Sequence, residues 1–223
     1  MNHILITPSI LSSDFSRLAE EIRLVEKAGA DGIHLDIMDG HFVPNISFGP
    51  EIVRSIRKVT GLPFWAHLMV EKPGEFVEAF HDAGVNGITI HCESDEDWLA
   101  LADRIRGLGL GVGVTLNPET PLQNIEQTLD HFERILVMSV HPGFGGQSFM
   151  PETLEKIRTL KEMTLSLSNP PIIEVDGGID EETAPFTVEA GARCLIVGAA
   201  IYRAPDPVFA FNKIKCAAEK VFQ

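Results

Sequence analysis

Eight times along its length this chain alternates a short apolar run with a longer amphipathic one. The short runs, at 4–10, 32–38, 63–69, 87–91, 110–116, 134–140, 171–176 and 194–198, read as strands. The longer ones predict helices over 15–28, 50–59, 74–83, 95–106, 121–129, 151–165, 181–190 and 207–221. In the first of these, Leu18, Ile22 and Val25 share one face, Asp14 is placed to cap the start and Gly29 to end it. Sustained alternation implies a parallel sheet, and eight strand–helix units are the number that closes into a (β/α)8 TIM barrel. A doubly wound open sheet is the competing topology, weakened because no GxGxxG follows the first strand. No linker or low-complexity tract interrupts the pattern, so one barrel domain over 1–223 is expected.

The bulk charge narrows the function classes. A net charge of −14 and a pI near 4.9, with no basic stripe, exclude an ordinary nucleic-acid binder. Any anionic substrate must therefore be captured by local groups rather than by the field of the whole protein. Cys92, Cys194 and Cys216 are odd in number, widely spaced and free of any CxxC pair, which points to reduced thiols. The N-terminal segment reads as a first strand and not a secretory leader, and no apolar run is long enough to span a bilayer. The expectation is a cytoplasmic protein with no nucleic-acid or membrane partner.

In a parallel barrel, reactive side chains collect at the C-terminal ends of the strands. Those ends here present Ser9, the pair His34 and Asp36, then His67, and finally Asp176. His34 and Asp36 are two residues apart and so share a strand face. Inward barrel positions are usually Val, Ile or Leu, and burying four polar groups without a partner would be costly. A cation bound by His34, Asp36, His67 and Asp176 would compensate all of them, and the mixed N/O set suits Zn²⁺, Fe²⁺, Co²⁺ or Mn²⁺ more than Mg²⁺ or Ca²⁺. Taken singly, a strand histidine is more often a hydrogen-bonded structural residue; the convergence is what shifts the reading. His91 and Glu93 rank below these, as residues that would hold the ligands rather than bind the ion.

Two further sets stand at the same mouth. Glycines in "VHPGFGGQSF" (140–149), in "DGG" (176–178) and in "VGAAI" (197–201) expose backbone N–H groups able to cradle an anion, and none of the three segments contains Lys or Arg. Loops after the last barrel strands often bind phosphate, which here would be held by amides and a helix N-terminus. Met38, Met69 and Met138 each lie near a strand end and would form an apolar floor against a planar intermediate.

The segments "SILSSDF" (9–15), "HLDIMDGHFVPNISFGP" (34–50), "AHLMVEKP" (66–73), "HPGFGGQSF" (141–149) and "VDGGI" (175–179) closely resemble the ribulose-phosphate 3-epimerase family, in order, from Ser9 to about Ile201. The resemblance implies an enzyme of the pentose phosphate pathway that interconverts D-ribulose 5-phosphate and D-xylulose 5-phosphate. It implies one divalent transition metal per subunit, zinc first with iron, manganese or cobalt as alternatives. It also implies Asp36 and Asp176 as acid and base, and Ser9, His67, Gly143, Phe144, Gly145, Gly146, Asp176, Gly177, Gly178, Gly198 and Ala199 as substrate contacts. A homo-oligomer is implied as well. Two departures from the family pattern are Ala199, where many members carry Ser, and His141, at a variable position. Inverting C3 of a 2-ketose calls for two carboxylates on opposite faces and a cation to stabilise the enediolate. Rival readings are an allulose 6-phosphate 3-epimerase, a metal-dependent barrel lyase or aldolase, and a phosphosugar-binding barrel without catalysis.

Overall fold

The computed structural model describes residues 3–222; Met1, Asn2 and Gln223, the ends of the expected domain, lie outside the described residues. Eight strands form one parallel sheet: β1 (Leu5–Pro8), β2 (Ile33–Met38), β3 (Phe64–Met69), β4 (Gly87–His91), β5 (Gly111–Leu116), β6 (Arg134–Met138), β7 (Ile172–Asp176) and β8 (Cys194–Val197). Hydrogen-bonded neighbours run β1-β8-β7-β6-β5-β4-β3-β2. The seam between β1 and β2 is closed at one end by Asp31, whose N–H donates to Ile6 O and whose carboxylate accepts from Ile6 N. At the other end a parallel bridge pairs Ser9 with His34. The result is the expected TIM barrel.

Around it lie α1 (Leu18–Ala28), α2 (Pro50–Arg57), α3 (Val77–Ala83), α4 (Trp98–Gly107), α5 (Thr153–Thr164), α6 (Thr183–Ala190), α7 (Ala199–Tyr202) and α8 (Pro207–Glu219). The N-terminal and C-terminal punctuation behaves as the sequence predicts. Asp14 accepts from Ser16 N, and Gly29 ends α1 at φ 94, a left-handed conformation only glycine adopts cheaply. Two departures stand out. Residues 121–129 do not form an α-helix but two short 3₁₀ helices, Leu122–Asn124 and Glu126–His131. No side chain caps their starts, and Thr128 bonds back to the Ile125 carbonyl, so the chain tightens into i→i+3 turns. The first predicted helix likewise begins with a 3₁₀ turn, Phe15–Arg17, and its α-helical part starts only at Leu18.

Strand alternation sorts the residues into two compartments. The main apolar core lies between strands and helices, with Ile6, Leu35, Ala66, Ile88, Val112, Ile135, Val175 and Leu195 facing Ile22, Val53, Phe80, Ile105, Ile157 and Phe211. The opposite strand face, which lines the barrel, is unusually polar: Thr7, His34, Asp36, His67, Thr89, His91, Thr115 and Glu174 are all buried there. At its lower end Arg134 pairs with Glu174 and lies 3.8 Å over the Trp65 ring. Helices outside thus supply the hydrophobic stability, and the barrel interior is left to hold polar side chains at fixed positions.

Candidate active site

The upper barrel brings four of the predicted residues to one point. His34, Asp36, His67 and Asp176 each offer a ligand atom, and these atoms all lie within 4.8 Å of one another. Register explains it. Asp36 on β2 is level with His67 on β3, and His34 sits two residues below Asp36 on the same face. Asp176 ends β7, three steps away around the barrel through β1 and β8.

The polar atoms there are poorly satisfied by protein alone. His34 Nε2 is 3.3 Å from Asp36 Oδ1 and 3.8 Å from Asp176 Oδ2, yet is buried without a hydrogen-bond partner. His67 Nδ1 is 3.3 Å from Asp36 Oδ1. Two buried imidazoles and two carboxylates around an orphaned nitrogen are what a divalent N/O site requires, so the residues fit a metal ion.

Electrostatics separate the four groups. Burial alone would lower His34, but Asp36, then Asp176 and Glu174, raise it to about 9. Burial would likewise raise Asp36, yet the positive charge of the adjacent His34 holds it well below the usual carboxylate range. Burial lowers His67 to about 4. Burial, then the Asp36 charge, push Asp176 up to about 7. Two carboxyl groups in one cluster are therefore driven to opposite protonation preferences near neutrality.

The cluster floors a cavity of about 590 Å³ lined by Ser9, Met38, Met69, Met138, Asp176 and the glycine loops, a size suited to a small metabolite. Ser9 does not stand free: its hydroxyl donates to Asp36 Oδ2. The three methionines all line the cavity, though from two sides, Met38 and Met69 packing with Val43 and Met138 with Leu136, Val140 and Ile196. Gly143, Phe144, Gly145, Gly146, Gly177, Gly178, Gly198 and Ala199 form the opposite wall. The wall is shaped by close approaches. Gly178 has φ 64, and a Cβ there would fall 2.3 Å from the Phe149 backbone nitrogen. The Asn45 side chain donates to Gly143 O at 2.7 Å and ties this wall to the loop after β2.

Several residues in the site escaped the sequence reading. Ser139 is fully buried and donates to Asp176 O and Gly177 O, fixing the bend that presents Asp176. Ser12 Oγ lies between Gly145 and Gly198, 2.6 and 3.0 Å from where their Cβ atoms would be. The wall also has a cation beside it after all: Arg203, following α7, lies against Gly146, with Nη1 2.6 Å from a hypothetical Cβ. None of these positions carries a distinctive spacing; only "SS" in the 9–15 run hinted at Ser12. His91 and Glu93 stand behind His67: His91 Nε2 is 2.9 Å from His67 Nε2, and His91 Nδ1 is 3.0 Å from the Glu93 carboxylate.

Fold and site together define a TIM-barrel enzyme whose C-terminal mouth carries a buried two-histidine, two-carboxylate cluster able to hold a metal. Residues 5–202 match the sequence model of the Ribulose-phosphate 3 epimerase family. The ribulose-phosphate 3-epimerase of Bacillus subtilis (strain 168) is 46% identical over 213 residues, covering 95% of this chain and 98% of its own. The protein of the same name from Synechocystis sp. is 48% identical, covering 92% and 90%. Among solved structures, a KGPDC from Streptococcus mutans superposes with a TM-score of 0.76 over 100% of both chains at 16% identity. The 3-hexulose-6-phosphate synthase of Salmonella typhimurium gives 0.74 over 98% and 100% at 17%. At those identities the two structures speak for the fold alone. The chain belongs to the ribulose-phosphate 3 epimerase family and is an epimerase of that family.

Proposed function

We propose that the protein interconverts D-ribulose 5-phosphate and D-xylulose 5-phosphate by proton transfer at C3. The observation that carries this reading is the meeting of Asp36 and Asp176, from strands on different sides of the barrel, in one buried cluster. Family membership and the names of the relatives support the substrate.

The C3 proton of a 2-ketose is acidified by the neighbouring carbonyl. One carboxylate removes it from one face, and the other carboxyl returns a proton to the opposite face, inverting the centre. Asp36 and Asp176 alternate, the ionised one taking the proton from C3 and the protonated one supplying it, with their roles set by the direction of the reaction. After a turnover the two have exchanged proton states, and the reverse reaction restores them. Ser9 holds Asp36 in place by donating to Oδ2, while Ser139 fixes the backbone that carries Asp176. His34, Asp36, His67 and Asp176 would hold a divalent ion, zinc by the donor set, which when bound supplies electrostatic stabilisation of the negative charge developing beside C3. Backbone amides of Gly143 to Gly146, Gly177, Gly178, Gly198 and Ala199 receive the phosphate, with the Arg203 guanidinium alongside Gly146. Met38, Met69 and Met138 keep water from the flattened intermediate. The reading carries with it a cytoplasmic homo-oligomer serving the pentose phosphate pathway.

Incubation of the purified protein with D-ribulose 5-phosphate in D₂O, followed by proton NMR, tests it. D-xylulose 5-phosphate should appear with deuterium at C3 of both isomers. Absence of both changes, or faster turnover of allulose 6-phosphate in the same assay, would overturn the assignment.

A further inference from the structure

Behind the four-residue cluster another histidine stands end-on to His67. The two Nε2 atoms are 2.9 Å apart, within hydrogen-bond distance, and the ring planes lie at 20° to each other. His91 Nδ1 is 3.0 Å from Glu93 Oε2. The other carboxylate oxygen of Glu93, Oε1, accepts from the Asn117 backbone N–H at 2.7 Å and from the Thr120 hydroxyl. The loop that supplies those donors is clasped by Lys156, which donates to the carbonyls of Asn117, Pro118 and Thr120 at 2.7–2.8 Å. Both rings are buried, and Phe42 packs over His91 at 4.5 Å between ring centroids. Both His91 and Glu93 are thus held from two sides.

Protons along this chain of contacts can be placed in two ways, because Asp36 at one end and Glu93 at the other only accept; the shorter contact, 3.0 Å at Glu93 against 3.3 Å at Asp36, decides between them. Two neutral imidazoles in N···N contact share one proton, so one ring donates and the other accepts. With the closer Glu93 carboxylate taking the donor, His91 carries its proton on Nδ1. Its Nε2 is then bare and must accept from His67. His67 is left protonated on Nε2 and bare on Nδ1, the nitrogen that faces Asp36. We propose that the His91–Glu93 pair is a tautomer-setting relay that presents the Nδ1 lone pair of His67 to the cluster. The opposite tautomer would let His67 Nδ1–H reach Asp36 at 3.3 Å, but it would set the His91 Nδ1 lone pair against the Glu93 carboxylate at 3.0 Å. His91 and Glu93 touch neither substrate nor reacting atoms; they are positioning residues acting through His67. The inference rests on reading the cluster as a metal site.

Glu93→Gln tests it with almost no change of shape. The Asn117 N–H and the Thr120 hydroxyl hold the amide oxygen where Oε1 now lies, so the NH₂ group must face His91 Nδ1. Donation there moves the His91 proton to Nε2, and His67 then carries its proton on Nδ1, pointing at the metal position. Zinc affinity, measured by competition with a chromophoric chelator, should fall about 10–100-fold in the variant. Tautomers are read in the metal-free protein from ¹⁵N-histidine spectra, assigned through single His substitutions. Wild type should show His67 as Nε2–H and His91 as Nδ1–H, with both reversed in Glu93→Gln. A wild-type His67 protonated on Nδ1, or a variant that binds zinc as tightly as wild type, would overturn the relay. If the variant does not fold, the wild-type spectrum alone decides. A wild-type protein that takes up no zinc would end the metal reading instead, and the relay would still stand or fall on its spectrum.

Discussion

Ser9 pairs with His34 at the one place where the barrel closes without a full ladder between neighbouring strands. The same Ser9 donates to Asp36, so barrel closure and assembly of the four-residue cluster depend on shared contacts. An ion bound by residues from β2, β3 and β7 would therefore clamp the barrel across this seam. Binding to the folded state alone stabilises by about 2.7 kcal/mol at 100 times the dissociation constant. For a chain of this size that is a rise in Tm of roughly 5–10 °C. Differential scanning calorimetry with and without free zinc buffered at about 100 times the dissociation constant checks it, and His34→Ala should abolish most of the rise. An unchanged Tm on saturation would mean that the ion does not bridge the strands.

Asp176→Asn should leave the fold intact and stop the reaction. The hydrogen bonds that hold this corner involve the backbone carbonyls of residues 176 and 177, donated to by Ser139, and not the side chain. The amide cannot exchange a proton with carbon, and loss of one acid–base partner costs typically about 10²–10⁴-fold in turnover. Circular dichroism should overlay wild type while isomer interconversion falls by at least about 10²-fold, with C3 deuterium exchange surviving at most in the isomer whose proton Asp36 removes. Wild-type turnover in this variant would place the second proton carrier elsewhere.

How legible this was in the sequence depends on how far each signal reaches. The barrel follows from local alternation, and His34, Asp36, His67 and Asp176 follow from their places at strand ends. Residues 121–129 misled because Leu122, Ile125 and Leu129 are buried at spacings that an α-helix and a run of 3₁₀ turns both accommodate. The four-residue helix Ala199–Tyr202 is too short to show a period at all. Ser139 and Arg203 matter through what they meet across the barrel, Asp176 O and Gly146, contacts separated by 37 and 57 positions along the chain. Glu93 was visible as part of His-x-Glu, but its role turns on which oxygen faces Asn117, a fact of geometry and not of spacing.

Metal affinity should depend on pH in two steps. The metal-free His34 titrates at about 9, above its ordinary 6.5, so its charged pairing with Asp36 stabilises the metal-free fold fully below about 6.5 and is lost as pH rises through 9. Asp176 at about 7 also lies above its ordinary 3.8; its buried protonated form is favoured below that value, and this advantage is lost as pH rises through 7. A metal needs both groups deprotonated and must displace whatever protons they carry. The logarithm of apparent zinc affinity should therefore be flat above pH 9, rise with a slope of about one per pH unit between 7 and 9, and about two between 4 and 7, where His67 is still neutral. Chelator competition across that range, in buffers of constant ionic strength, reads the slopes. A flat profile between 7 and 9 would show that His34 does not give up a proton to the ion.

Gly178→Ala isolates the glycine wall proposed to receive the phosphate from the four-residue cluster. Residue 178 holds φ 64, which costs a side-chain-bearing residue on the order of 1–3 kcal/mol. The added Cβ would also fall 2.3 Å from the backbone nitrogen of Phe149, and a backbone atom cannot step aside as a flexible side chain would. Either the turn after β7 or the 141–149 loop must shift, and both line the cavity opposite Asp36. His34, Asp36 and His67 belong to β2 and β3, away from either movement, and Asp176, two residues before the change, is held by the Ser139 hydrogen bonds to the carbonyls of 176 and 177. The variant should lose about 1–3 kcal/mol of stability in urea and at least about tenfold in apparent substrate affinity, seen as a raised KM. Zinc affinity should stay within about twofold of wild type, since a factor of two is under about 0.5 kcal/mol. A KM equal to wild type in a folded variant would mean that the phosphate binds away from this wall; a parallel loss of zinc would mean that the two halves of the mouth are mechanically one.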